Sequence, residues 1–341
     1  MGDFTTSFKE FRATARVASW GSSGSGKSRL IMSMPRRTGV FPLEKNSRTS
    51  LQELLDIEPD PDNVLVIPRH DFMHIEVPDD VVNMAELDAY YKRLCMEADA
   101  QASKNGTAPS YPNKKLLYKA TEEAALQQHY VDYIDKLKST ARGIVQQNGV
   151  KSIAIDSGTE MYDAFCVSVL GRRPRFGDAA TDLSPINTEV KMFMNNFASM
   201  NTLITHHPKL EFKSTQTKSG KTAAAPTGNN VPDGWKKIGN NTNIEVEHMR
   251  VTSEADLTLL KLVWYRKDAK MGDYALLIKK VHGAMARLPK SKDGQGVLLN
   301  HEINFANLVF RCYPNTDLVE DWGYTEEEVE RFVLSPEDYY V

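Results

Sequence analysis

The sequence predicts an α/β protein with a mainly parallel sheet flanked by helices, and three observations carry that expectation. Gly21-Ser22-Ser23-Gly24-Ser25-Gly26-Lys27-Ser28 fits G-x-x-x-x-G-K-[ST], the pattern of a phosphate-binding loop. An apolar run over 13–20 precedes it and a helix-capable stretch over 29–34 follows it, which is the strand–loop–helix setting the pattern needs. Downstream, short apolar runs of strand length alternate with amphipathic stretches of helix length, and one of those runs, V-K-S-I-A-I-D at 150–156, ends in an aspartate.

The loop's chemistry follows from its residue types. Glycines bring the backbone close to an anion with no Cβ in the way, and the loop N–H groups and the helix N-terminus then face it. Lys27 is placed to neutralise β- and γ-phosphates, and the Ser28 hydroxyl to ligate Mg²⁺.

Composition narrows the class. The chain of 341 residues has room for one large domain or two modest ones, and 41% hydrophobic and 26% charged residues fit a globular protein with a sizeable core. A formal charge of −3 means that any nucleic-acid contact must come from local basic patches. Cys95, Cys166 and Cys312 lie far apart without a C-x-x-C pair, so neither a zinc site nor a disulfide framework is expected and an intracellular setting is the simplest reading. No signal-peptide core and no run of 18 apolar residues is present, so no membrane partner is expected.

Taken in order, the elements place the candidate residues. Val40 to Leu43 in T-G-V-F-P-L-E-K-N reads as a second strand, weakened by Pro42, with Glu44 at its carboxyl end, where ligands bind in open α/β sheets. By itself Glu44 reads equally well as a solvated glutamate. Residues 64–68 read as a short strand, and 79–100 and 121–147 as helices within a helical insertion at about 69–147. The strand ending in Asp156 has the Walker B pattern, with Asp156 expected to hold Mg²⁺ across from Ser28, and Glu160 just beyond it is a second candidate for polarising water. Residues 171–182 form a loop in which Arg172, Arg173, Arg175 and Phe176 suit single-stranded nucleic acid, guanidinium on phosphate and ring on base. A merely basic exposed loop is the alternative.

The apolar stripe of 186–200 reads as core, and 201–205 as a strand whose tip, His206-His207, can sense a γ-phosphate; His206 is the favoured sensor. Residues 208–240 read as a long mobile loop with six lysines against two acids, Lys213, Lys218 and Lys221 among them. Residues 243–251, 256–266 and 273–281 read as strands, the last two as a C-terminal β-hairpin. Residues 283–341 read as an extension that turns acidic, with Thr325-x-x-Glu328 a capping box for a final helix.

The four stretches G-S-S-G-S-G-K-S, F-P-L-E-K-N, S-I-A-I-D-S-G-T-E-M-Y and L-I-T-H-H-P-K, in that order, resemble the RecA-like P-loop ATPases. The likeness is greatest to phage-encoded, single-domain AAA-domain proteins related to single-strand-annealing ATPases, and it spans about residues 13–282. It implies ATP and Mg²⁺ as ligands and Glu44 as the residue that activates water. It also implies two DNA-binding loops at 171–182 and 208–240, a ring or filament of identical subunits, and Lys236 and Lys237 acting in trans on a neighbour's site. Single-stranded DNA, a single-strand DNA-binding protein and the host-cell cytoplasm are the partners and setting it implies. The long helical insertion and the lack of a separate N-terminal oligomerisation domain depart from the pattern. The expected activity is a DNA-stimulated ATPase that promotes recombination or strand annealing. A ring-forming helicase or packaging motor, or a nucleotide-controlled protein scaffold, uses the same parts.

Overall fold

Strands covered on both faces read as unbroken apolar runs, and four such runs build the centre of this protein. The computed structural model describes residues 14–45, 47–57, 65–66, 82–146, 149–173, 180–216, 222–235, 238, 241–282 and 294–332. Among them, β1 (Arg16–Trp20), β2 (Thr38–Pro42), β4 (Ser152–Asp156) and β5 (Asn201–His206) are almost wholly buried. With β3 (Leu65–Val66), β8 (Ile244–Arg250), β9 (Tyr274–Val281) and β10 (Val297–Leu299) they make an eight-stranded sheet in the order β10-β9-β8-β1-β5-β4-β2-β3. Neighbours from β8 to β3 run parallel, while β9 and β10 are antiparallel. The architecture is therefore a mixed, mostly parallel sheet flanked by helices.

Among the described residues, Pro42 sits in this sheet without loss of a ladder bond. The next residue's N–H, at Leu43, donates to the Asp156 carbonyl on the β4 side. Alternation turns the Pro42 nitrogen the other way, where among the described residues β3 pairs as far as Gly39.

The described residues fall into two compact units. The first takes its residues from 1–74, 140–162 and 191–341, and holds the sheet; the second takes them from 75–139 and 163–190. In the first unit a core of Val17, Leu30, Val40, Leu203 and Val246 continues into Phe305, Val309, Trp322 and Tyr324. Residues 294–332, read from sequence as part of an extension, thus add β10 to the sheet and α7 (Phe305–Cys312) to the core. Tyr324 Oη donates to the Ser33 carbonyl at 2.7 Å, and Asn201 Nδ2 donates to the Trp322 carbonyl at 2.9 Å. The final helix, α8 (Glu326–Phe332), starts at the expected capping box: Glu328 N–H donates to Thr325 Oγ1, and Thr325 N–H to Glu328 Oε2. In the second unit α2 (Met84–Asn105) is joined to α3 (Lys114–Val145) through Lys114 and Asp88, 2.9 Å apart; among the described residues that unit also holds most of α4 (Gly158–Leu170) and of α5 (Ala180–Asn195).

Two stretches differ from the sequence reading. Residues 208–240 are not a structureless loop: β6 (Pro208–Gln216) and β7 (Thr222–Pro232) form an antiparallel hairpin. A bulge at 227–229 is fastened by Thr227 Oγ1 donating to Glu211 Oε2 at 2.7 Å. Residues 256–266 are not a strand: α6 (Glu254–Thr258) opens at a Ser253 capping box and runs into a π-helical turn at Leu259–Val263. β9 consequently pairs antiparallel with β8, across that helical excursion, as well as with β10.

Candidate functional site

The carboxyl ends of β1, β2, β4 and β5 lie side by side, because these strands are parallel and adjacent through β1-β5-β4-β2. Each end carries one of the residues singled out by sequence. β1 runs into the glycine-rich loop, where Gly26 takes φ +93°, a left-handed conformation that only glycine adopts without strain, and caps a 3₁₀ helix at Lys27–Ser33. Lys27 Nζ donates to the carbonyls of Gly21 at 2.7 Å and Ser22 at 3.1 Å, so the ammonium lies inside its own loop. Ser22, Ser23 and Gly24 are exposed, and Ser28 is half-buried just behind Lys27.

Asp156 organises the opposite wall. Its carbonyl accepts from Leu43 N–H, from Glu44 N–H at 3.3 Å and from Ser47 Oγ at 3.1 Å. These bonds bend the chain after β2 so that Glu44 stands beside the β4 tip. The Asp156 side chain is buried and accepts a hydrogen bond from Thr205 Oγ1 on β5. Burial raises its pKa, with the Glu44 charge adding to that and Thr205, Ser47 and Lys27 opposing. Lys27 feels the converse: burial lowers its pKa while Asp156 and Glu44 raise it. Lys27, Asp156 and Glu44 thus form one interacting cluster of charges.

Glu44 is held by a residue that the sequence reading passed over. His207 Nε2 lies 2.9 Å from Glu44 Oε1, and this contact, with help from Ser157 and against burial, which raises it, holds the Glu44 carboxyl below its ordinary pKa. The same contact raises the His207 pKa, and the Glu160 charge acts in the same direction. His206, the favoured sensor, points elsewhere. Its ring is fully buried, Nδ1 lies 2.8 Å from the Asp233 carbonyl, and burial pushes its pKa down to about 4. The ring fits there because residue 158, at the start of α4, is glycine: a Cβ on Gly158 would lie 2.5 Å from His206 Cε1 and 2.4 Å from Ile204 Cγ2. A doublet at a strand tip signals that one ring enters the core and one faces the ligand side, and the sequence does not say which. Thr205, Ser157 and Asp233 gave no signal of their own.

His207 is also the first step to the hairpin. Its N–H donates to Thr159 Oγ1 at 3.1 Å, and its carbonyl accepts from Asp233 N–H at 2.7 Å. Thr159 Oγ1 in turn donates to the Asp233 carbonyl at 3.0 Å. Lys209 and Asp233 close the hairpin base with an ion pair at 2.6 Å. On the other flank, His248 packs beneath Gly21: its ring is fully buried, and burial, then the Lys27 charge, pushes its pKa down to about 3.

The remaining sequence candidates are spread out. Glu160 N–H donates to Ser157 Oγ at 3.4 Å, which keeps Glu160 at the first turn of α4. Arg172 Nη1 donates to the Arg173 carbonyl, and Arg173 is exposed with its Nε 3.4 Å from Asp163. Lys213 lies in β6, in register with Ala225. Arg175, Phe176, Lys218, Lys221, Lys236 and Lys237 lie outside the described residues.

The donor set can be tested against a divalent cation. Among the described residues no three His, Cys, Asp or Glu side chains cluster so as to hold a metal. Asp156 and Ser28 offer hard oxygens, which suits Mg²⁺ because that ion uses one or two protein oxygens and takes the rest from phosphate and water. No described helix is long and apolar enough to cross a membrane.

No protein-family model and no curated protein matches the chain. Among solved structures it is similar to an ATPase of the type III secretion system of pathogenic bacteria, at 12% identity and a TM-score of 0.33 over 71% of this chain; the match spans about half, 51%, of that ATPase. It is also similar to the RadB recombinase, at 8% identity and a TM-score of 0.34, covering 80% of this chain and 83% of that one. Both likenesses are distant, and they assign no residue a role.

Proposed function

We propose that the chain is a Mg²⁺-dependent ATPase of RecA-like type that binds single-stranded DNA and promotes recombination or strand annealing. The observation that carries the ATPase reading is the convergence of Lys27, Asp156 and Glu44, three mutually interacting charges at neighbouring strand tips, on a loop with the full phosphate-binding pattern. In this reading the loop amides and Lys27 hold the phosphates, Lys27 exchanging its two loop carbonyls for phosphate oxygens. Ser28 and Asp156 would hold Mg²⁺, which supplies charge neutralisation on the β- and γ-oxygens. Glu44, kept ionised by His207, orients the water and takes its proton as the water oxygen attacks the γ-phosphorus and the bond to ADP breaks.

The DNA reading rests on the hairpin. Its sequence is basic, Phe212 and Leu210 stand exposed on it, and its base is bonded through Asp233 to His207, next to Glu44. A change at Glu44 would reach the hairpin by that path, coupling nucleotide state to DNA affinity. Assembly into a ring or filament, with Lys236 and Lys237 acting on a neighbour, belongs to the same proposal.

The test measures binding of a fluorescent ATP analogue and ATP hydrolysis, each with and without single-stranded DNA at two salt concentrations. Lys27→Ala is expected to weaken nucleotide binding about tenfold or more, a loss of about 1.4 kcal/mol. Glu44→Gln should leave binding close to wild type and cut turnover by about 100-fold or more, as loss of a general base does. DNA affinity should fall steeply with salt. A Lys27→Ala protein that binds nucleotide normally would overturn the site, and a chain whose turnover ignores DNA and which binds none would leave the protein-scaffold role in place of the DNA role.

A further inference from the structure

We propose that a groove among α3, α4 and α5 in the second unit is a binding site for a small organic cation with an apolar body. The groove has a volume of about 630 Å³, within the range of ordinary small-molecule pockets. Its walls are one stripe each of α3, α4 and α5, the α3 stripe running through positions 131, 134, 135 and 138. That spacing puts one face of each helix toward the same space. Ile134 and Phe165 are buried in its floor, with Val169 and Pro185 beside them.

The charges select the ligand. Lys138 is already matched, its Nζ 2.6 Å from Glu189 Oε2 and 5.9 Å from the centre of the Phe165 ring. This ring therefore already carries a cation on its face, the contact that an organic ammonium ion also makes. Asp135 is exposed at the rim and makes no hydrogen bond or ion pair among the described residues. With Lys138 neutralised by Glu189, Asp135 leaves the groove one negative charge over an apolar floor. An anion would meet Asp135 with no unmatched cation to receive it. A neutral apolar molecule would leave Asp135 unpaired. An ammonium on a hydrocarbon or aromatic body satisfies both parts, the charge at Asp135 and the body on Ile134, Val169 and Pro185.

The experiment titrates the full-length chain by calorimetry with 4-phenylbutylamine, its neutral isostere 4-phenylbutanol and the anion 4-phenylbutyrate. The amine should bind saturably with a Kd of about 1 mM, the scale open to so small a ligand, and the alcohol and the carboxylate about tenfold or more weaker. Asp135→Asn should lower amine affinity about tenfold, and Thr188→Trp, which fills the groove from an exposed position, should abolish binding while the circular-dichroism spectrum stays that of wild type. Lys27→Ala should change nothing, which separates this site from the glycine-rich loop. Absence of saturable amine binding, equal binding of amine and alcohol, or unchanged amine binding in both groove variants would each overturn the assignment.

Discussion

Gly158 and the two buried histidines show how much of the candidate site depends on single side chains. Gly158→Ala would drive a methyl to within 2.4 Å of Ile204 Cγ2 and 2.5 Å of His206 Cε1, and neither neighbour can yield, because both are buried in β5. The expected cost is about 1–3 kcal/mol, as for other overpacked cores, read as a lower urea midpoint. His206 and His248 are buried neutral, with folded pKa values of about 4 and about 3 against 6.5 when exposed. His206 faces Asp233, Lys209 and His207, and His248 faces Lys27 and the Ser25 backbone. Between those limits the unfolded chain binds more protons than the folded one, so stability is complete above about pH 6.5 and is lost as pH falls toward 4. Asp156, with its raised pKa, works against this slope, whereas His207, raised above 6.5, changes its contribution mainly above about pH 6.5, where its partly exposed contact with Glu44 is screened by solvent. Glu44, with its lowered pKa, adds to the loss only below about pH 4.5. The net expectation is a loss of about 2 kcal/mol between pH 6.5 and 4.5, measured as urea midpoints in that range. A flat or inverted profile would mean that the two rings are not buried neutral.

At the scale of elements, the described side chains of the hairpin β6–β7 fasten it at its base. Asp233 is the fastening: its carboxylate accepts from Lys209 Nζ at 2.6 Å and from Gly234 N–H at 2.9 Å. Asp233→Ala should cost no more than about 1 kcal/mol of global stability, since the ion pair is partly exposed. It should nevertheless raise cleavage between residues 209 and 232 several-fold in limited proteolysis, because local opening needs only the base to part. Unchanged cleavage would place the fastening elsewhere. The same element explains why the sequence hid it. A stretch of Lys, Ser, Thr, Gly and Asn offers no apolar alternation, so its strands rest on backbone pairing and on Glu211, Thr227 and Asp233. The central strands were legible because both of their faces are buried and they read as apolar runs. Residues 256–266 were misread as a strand, since L-T-L-L-K-L-V-W fits either period and the Ser253 capping box that decides for helix lies just upstream.

Over the whole molecule, what stayed illegible is whatever depends on contacts far apart in sequence. Lys27, Glu44 and Asp156 could be named from local patterns, whereas the placing of Glu44 needs the Asp156 carbonyl, and its partner His207 comes from a fourth strand. The same holds for residues 294–332, whose bonds to Ser33 and Asn201 no local pattern announces. A site gathered from segments between positions 21 and 207 exists only while the sheet of the first unit is intact, so its ligand must stabilise that unit. The chain offers a direct reporter, because all four tryptophans, Trp20, Trp235, Trp264 and Trp322, belong to the first unit and none to the second. Mg–ATP at 100 times its Kd should add about 2.7 kcal/mol to the folded state, a rise of about 4 °C in the tryptophan-detected Tm for a chain of this length. Lys27→Ala should remove most of that rise at the same nucleotide concentration. The second unit holds more of the described α-helix than the first, so the size of the transition at 222 nm in circular dichroism shows whether the second unit shares the gain. A rise seen by both probes means that the two units unfold as one. A rise seen by tryptophan alone means that the nucleotide stabilises only the unit that binds it. No rise by either probe would show that the loop with the full phosphate-binding pattern does not hold a nucleotide in this chain.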